Sequence, residues 1–357
     1  MKNKKALYTY FGYLGIFNTD IPGHTFYQLG LIDQLCKTHG VEKVDFYSYL
    51  SEDNIGRDFT DPVYPDERAS CIFEKYTERR IDSYNPSLAC VISAIEAGEY
   101  DKIFLKARFR NLSTLSKGLT DARQFEKIIK VACETGQAEK VIILDTDLSL
   151  DPEFVEFCKG NGISFEIPSI DYPNISSNFL LDCSNMWLSG PRFDKIDDIF
   201  YYGNIAFKNY KSGHAKNPIL PAALKTIQDF RSFTGKSYTL RVAGKVDQII
   251  VDELDATHFI NRGDREKIWQ AYSNCGLVLN ISKDLYLERG FTPARVYESL
   301  IFGAIPISFG DDRLHAALGF KDLTELTEIL AFFKDSSPSD RAQLYSSCVT
   351  QLLNEDK

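Results

Sequence analysis

Short, nearly continuous apolar runs alternate along this chain with longer stretches in which apolar residues recur every three or four positions. The first period suits strands and the second suits amphipathic helices packed on them. ALYTYF near the N-terminus reads as a strand. TFYQLGLIDQLCKTHG, from Thr25, reads as a helix closed by Gly40, which can take the left-handed C-cap conformation. VDFYSYL is a second strand, and KIFLKARF (102–109) and KVIILDTD (140–147) are further ones. The last of these is apolar up to its acidic end, as in a parallel strand covered on both faces. Between them ARQFEKIIKVACETGQ has helical spacing and stops at Gly136.

After Phe165 the texture changes. Pro168, Pro173 and Pro191 fall among many Ser and Asn residues, which marks a hinge or linker. A second series follows: the strand DIFYYGN, the helix PAALKTIQDFR, the strands YTLRVAG and GLVLNIS, the helix PARVYESLIFG and the strand IPISFG. Two strand–helix series around a linker predict an α/β protein of two Rossmann-like domains with parallel sheets facing across a cleft. The expected bounds are 1–185 for an N-terminal acceptor domain and 186–335 for a nucleotide-binding domain. A last helix falls within 336–357, with no strand after it.

The length of 357 residues and a hydrophobic share of 44% supply two cores. A formal net charge of −9 excludes a surface that is basic all over, so a nucleic-acid partner must be held by a local patch. The eight cysteines include no CxxC pair and lie beside apolar residues, which reads as reduced core thiols rather than disulfides or a zinc site. MKNKKALYTYFGYLGIF starts like a secretion signal, but Tyr and Gly interrupt the apolar run and Asn18, Asp20 and Pro22 follow, as after a first strand. No stretch reaches the roughly 18 apolar residues of a membrane span. A cytoplasmic monomer that does not engage a membrane is expected.

The chemistry-bearing residues fall at strand ends and helix starts. In PARVYESLIFG, Arg295 and Glu298 are three apart near a helix N-terminus. A guanidinium there can grip a diphosphate with two hydrogen bonds, and a carboxylate one turn on can accept from vicinal ribose hydroxyls. The competing reading is a solvent-exposed i, i+3 salt bridge. The buried strand that follows favours the first reading, because ligands of open parallel sheets bind at such crossovers. YYGNIAFKNYKSGHAKN (201–217) joins a strand end to a glycine turn; amides of Gly203 and Asn204 and the side chains of Lys208, Lys211 and Lys216 could meet phosphate, or the segment is a surface loop. Asp145 and Asp147 end a buried strand, where a general base or a capping residue would sit. His24 and Thr25 open a helix and are either sugar or acceptor contacts or caps. Lys106, Arg108 and Arg110, interleaved with Phe109, could follow a DNA backbone or form a solvated strand end. Lys283, Tyr286 and Arg289 precede the Arg295 helix and could close over a sugar.

Taken in order, these motifs resemble the DNA β-glucosyltransferase family of T-even bacteriophages, whose fold is GT-B. ARVYESLIFGAIPISFGDD is the strongest patch, LDTDLSL and YYGN…YKSGH are weaker ones. The resemblance implies an inverting transfer of a sugar from a UDP-sugar, UDP-glucose or UDP-arabinose, to the hydroxymethyl group of a 5-hydroxymethylpyrimidine in double-stranded DNA. It implies 5-hydroxymethylcytosine as the base, a C-terminal helix (336–357) that packs back on the N-terminal domain and, for a phage-encoded chain, the host bacterial cytoplasm. Asp147 would be the general base, Arg295 the diphosphate ligand and Glu298 the ribose ligand. Gly203, Asn204, Lys211 and Lys216 would hold phosphate, with Lys211 where the family has arginine. Tyr286 would lie near the sugar, and His24 replaces an acidic family residue, which leaves the sugar open. Asp145-Thr146-Asp147 has the spelling of a DxD motif, with which a GT-A enzyme holds a metal-bound UDP-sugar; the strand–helix series after the linker favours GT-B, so a divalent metal stays open as an alternative that no clear site indicates.

Overall fold

The computed structural model describes residues 4–10, 22–49, 66–106, 120–144, 152–166, 193, 198–203, 219–234, 239–244, 258–261, 264–281, 293–310 and 318–353. It divides into two compact units, Met1–Ser169 and Ile170–Lys357. The division falls inside the Pro-, Ser- and Asn-rich stretch, some sixteen residues before the boundary expected at 185.

In the first unit the strands are β1 (Lys5–Tyr10), β2 (Lys43–Ser48), β3 (Arg80–Tyr84), β4 (Lys102–Lys106), β5 (Val141–Leu144) and β6 (Ser164–Glu166). The helices are α1 (Pro22–His39), α2 (Asp66–Thr77), α3 (Leu88–Glu96), α4 (Thr120–Glu134) and α5 (Pro152–Gly160). All strand pairs are parallel, in the order β3-β2-β1-β4-β5-β6. The four inner strands are apolar and buried along almost their whole length because helices cover both faces. Leu7, Ile103, Leu105, Val141 and Ile143 pack against Val91 and Ile95 of α3 and Phe125, Ile128 and Ile129 of α4. Gly40 and Gly136, at φ +66° and +70°, end α1 and α4 in the left-handed conformation expected of them.

The second unit repeats the plan with β7 (Asp198–Tyr202), β8 (Thr239–Ala243), β9 (His258–Ile260), β10 (Leu277–Asn280), β11 (Ile305–Phe309) and β12 (Gly319–Phe320). Its helices are α6 (Ile219–Thr234), α7 (Arg265–Asn274), α8 (Ala294–Ile301), α9 (Leu323–Asp335) and α10 (Pro338–Leu353). The order β12-β11-β10-β7-β8-β9, again all parallel, is the first sheet's order read from the other edge. Each unit therefore has the 3-2-1-4-5-6 order of a Rossmann sheet, and the α/β class with two Rossmann-like domains is as expected. In such a sheet the connections leave in opposite directions from the first and fourth strands. The crevice this opens lies between β1 and β4 in the first unit and between β7 and β10 in the second.

The last helix packs on the core of the second unit. α10 lays Leu344, Tyr345, Cys348 and Val349 on the second unit's own core, and Tyr345 Oη donates to Leu300 O at 2.7 Å. Arg341, buried on the same helix, donates to Phe193 O at 2.9 Å and Ser336 O at 3.0 Å. The helix's apolar stripe has the β10–β11 side of its own sheet to cover, so it closes the second unit. The cysteines divide differently from the expected uniform core: Cys36, Cys158, Cys275 and Cys348 are buried, whereas Cys71 and Cys90 lie on exposed helix faces, and all described cysteines are free thiols. No described helix is long and apolar enough to cross a membrane.

Candidate nucleotide site

The crevice of the second unit is where the sequence placed Arg295 and Glu298, and the local structure explains how they arrive there. Pro293 is the N-cap of α8, with φ −68° and ψ 147°, and caps with no side-chain hydrogen bond. Its fixed φ and missing N–H suit the start of a helix. The cap residue thus gives the first N–H groups no side-chain acceptor, Val296 N–H donating to Pro293 O at 3.0 Å, and Arg295 lies in this first turn.

Arg295 bridges the two strands that define the crevice. Its guanidinium lies 5.7 Å from the centroid of the Tyr201 ring on β7, and Nη1 donates at 3.4 Å to the carbonyl of Ile281, the residue following β10. Tyr201 is fully buried, so its ring face is a fixed platform. Among the described residues the aromatic face and one long hydrogen bond orient the guanidinium and leave most of its five donors for a ligand. Among the described residues Arg295 has no carboxylate partner, and the exposed i, i+3 salt bridge with Glu298 is not formed.

Glu298 goes inward instead. It is 4% exposed, and Oε2 accepts a hydrogen bond from Tyr272 Oη of α7 at 3.0 Å. Burial pushes its carboxyl up to about 7, against the opposing effects of the Tyr272 hydroxyl and the Arg295 charge. Burial likewise holds the Tyr272 phenol well above its ordinary range, with the Glu298 charge adding to it. A carboxylate beside an always-charged guanidinium, at the helix start of a Rossmann crevice, can receive vicinal hydroxyls while the guanidinium receives phosphate.

The remaining predicted residues are placed as follows. Gly203 ends β7, beside this crevice, and its N–H donates to Ala243 O at 2.8 Å, extending the β7–β8 ladder. Phosphate at this turn would draw on other amides. Asn204, Lys211, Lys216 and Tyr286 lie outside the described residues, as do Asp147, Asp145, Arg108 and Arg110. Lys106 ends β4 at the crevice of the first unit, where its N–H donates to Thr9 Oγ1 at 3.2 Å, and that hydroxyl lies 2.6 Å from Tyr49 Oη. His24 and Thr25 fall in the first turn of α1, which starts at Pro22 rather than at Thr25, and their side chains lie outside the described residues. Among the described residues no cluster of three or more His, Cys, Asp or Glu could hold a metal ion.

Two residues of the site escaped the sequence reading. Tyr201 stood inside the quoted YYGN motif, but its role as a platform depends on a strand neighbour that spacing does not show. Tyr272 is 26 positions from Glu298 in a helix with no motif of its own.

No protein-family model matches the sequence, and no curated protein is similar to it. Solved structures resemble it over nearly its full length at low identity. Anabaena HepE, solved with UDP and glucose, is 12% identical, with 98% of this chain and 95% of that one covered at a TM-score of 0.41. The UDP-forming α,α-trehalose-phosphate synthase of Burkholderia vietnamiensis is 10% identical, covering 99% and 96% at a TM-score of 0.43. The UDP-GlcNAc 2-epimerase of Neisseria meningitidis, bound to UDP-GlcNAc, is 11% identical, covering 98% and 100% at 0.37. At TM-scores below 0.5 these likenesses add nothing to the strand order, which by itself identifies the two Rossmann-like units.

Proposed function

We propose that this protein is a UDP-sugar-dependent glycosyltransferase of the inverting kind that glycosylates hydroxymethylated pyrimidines, 5-hydroxymethylcytosine above all, in double-stranded DNA. The observation that carries the donor half is Arg295 set across the β7–β10 crevice with buried Glu298 one turn behind it. That pair offers a diphosphate a two-pronged cation and a ribose an acceptor. The acceptor half rests on the sequence resemblance and on Asp147 at the end of the β5 run. In this reading Asp147 takes the hydroxymethyl proton as the oxygen attacks the anomeric carbon from the face opposite UDP, and the sugar inverts in one displacement. Arg295, with Lys211 and Lys216, would hold the departing diphosphate as its charge develops. The base would have to leave the DNA stack to reach such a residue, with Lys106, Arg108 and Arg110 on the backbone. The enzyme would work in the cytoplasm as a monomer.

The test is incubation of duplex DNA containing hydroxymethylcytosine with radiolabelled UDP-glucose or UDP-arabinose. Label in the DNA is expected, and nucleoside mass spectrometry names the sugar and base. No label with any UDP-sugar overturns the DNA reading. The net charge of −9 favours a second reading, in which the donor site is the same and the acceptor is a surface glycan or lipid. Duplex binding that weakens steeply with salt supports DNA, since released counterions set the slope; salt-insensitive or absent binding supports the second reading.

A further inference from the structure

Glu298 is held by a residue that the donor-site reading does not use. Tyr272 donates to Oε2 at 3.0 Å, and the phenol is itself held by four aromatic side chains. Phe302 stacks on it at 5.4 Å and 15° between planes, and Trp269 at 6.1 Å and 28°. Phe200 meets it edge-on at 4.7 Å and 84°, as does Tyr202 at 6.3 Å and 89°. Trp269 and Phe302 also stack on each other at 5.3 Å and 13°. Tyr272 is fully buried among these rings.

The consequence lies in the other carboxylate oxygen. A glutamate in water samples many rotamers, and ordering it on binding weakens the complex. Here Oε2 is fixed before any ligand arrives, while Oε1 has no partner among the described residues. A site built to give a hydroxyl its hydrogen-bond partner also rejects an analogue without that hydroxyl, because a buried acceptor is then left unpaired. We propose that Tyr272 is a positioning residue that sets Glu298 for the ribose hydroxyls and thereby makes the site select ribonucleotides. The inference rests on the nucleotide-sugar reading of this site and assigns its selectivity to a residue that holds Glu298 rather than the ligand.

Calorimetric binding of UDP and of 2′,3′-dideoxy-UDP separates the possibilities. The wild-type protein should prefer UDP by about 10- to 100-fold, as for a hydrogen bond to a charged group. Glu298→Gln should lose most of that preference. Tyr272→Phe, which keeps the ring and its stacking, should lose at least about fivefold of it while dideoxy-UDP binds within about twofold of its wild-type affinity. Unchanged preference in Tyr272→Phe, or equal weakening of both nucleotides, overturns the positioning role and leaves the donor site standing. A wild-type protein that binds neither nucleotide overturns the donor site and this inference with it. Should Tyr272→Phe not fold, a crystal structure of the wild-type protein with UDP serves instead: Glu298 bridging Tyr272 and the ribose supports the role, and Glu298 swung away from Tyr272 overturns it.

Discussion

Arg295 and Glu298 stand one turn apart on α8 without forming an ion pair, the first lying over Tyr201 and the second buried under Tyr272. Burial of the Glu298 carboxyl, offset only in part by the Tyr272 hydroxyl and the Arg295 charge, destabilises the unliganded protein when the group is ionised, and its direction with pH is fixed. Because burial raises the folded Glu298 from its ordinary 4.5 to about 7, the folded state holds the proton more tightly. The stability it contributes is complete below about pH 4.5 and is lost as pH rises through 7. Glu298→Gln should therefore be more stable than wild type at pH 8, by on the order of 2 kcal/mol, and no more stable at pH 4. Urea unfolding at the two pH values measures this. A variant less stable than wild type at pH 8 contradicts the burial argument. Loss of UDP affinity in the same variant would show a functional group retained at the expense of stability.

Arg295→Lys retains charge but not geometry. A lysine ammonium is a point charge that cannot reach two phosphate oxygens in parallel, and it forgoes the planar stacking that Tyr201 offers. UDP affinity should fall about 10- to 100-fold, whereas uridine, with no phosphate, should bind each protein alike. Equal loss for both ligands would place Arg295 away from the diphosphate.

What could be read from the sequence was whatever burial makes repetitive. β1, β4, β5, β10 and β11 are covered on both faces and so stand out as apolar runs. β3 has the alternating, part-exposed pattern of an edge strand, and β6, β9 and β12 have three residues or fewer, too short for a period to show. The Arg295–Glu298 spacing gave the helix face, but not that one side chain turns to the crevice and the other to the core. That outcome is set by Tyr201 and Tyr272, which only the fold brings near. The apolar stripe of α10 shows that it packs, not on which core; only the fold shows that it covers that of the second unit.

At the opposite end of the first sheet, Lys5 Nζ joins Asp45 at 2.9 Å and Asp82 at 2.7 Å, while Tyr100 Oη donates to Asp45 at 2.8 Å. Burial holds Asp45 above the usual carboxylate range despite Lys5, and its Oδ1 is buried without a partner; Lys5 draws the more exposed Asp82 below that range. Lys5→Met would leave Asp45 charged and buried with the Tyr100 hydroxyl but no cation, at a cost of about 3 kcal/mol near pH 8. The deficit should shrink as pH falls and Asp45 takes a proton, and adding Asp45→Asn should recover most of it. A deficit that is constant from pH 5 to 8 would show that Lys5 acts through packing alone.

The two aspartates after β5 separate three mechanisms by substitution. Asp147→Asn retains the shape of the side chain but cannot accept the acceptor's proton. Turnover should drop by about 10²- to 10⁴-fold, while UDP affinity, carried by Arg295 and Glu298 in the other unit, stays within about twofold. Asp145→Asn should retain most activity, because a single base suffices for one in-line displacement. Should both variants lose turnover and UDP-sugar affinity together, with activity following added Mn²⁺ in the wild type, the pair binds a metal and the donor is held through it. Should the wild type show no turnover with any acceptor while UDP binding needs Arg295 and Glu298 and is untouched by Asp147→Asn, the aspartate is no base, and the nucleotide site serves binding alone.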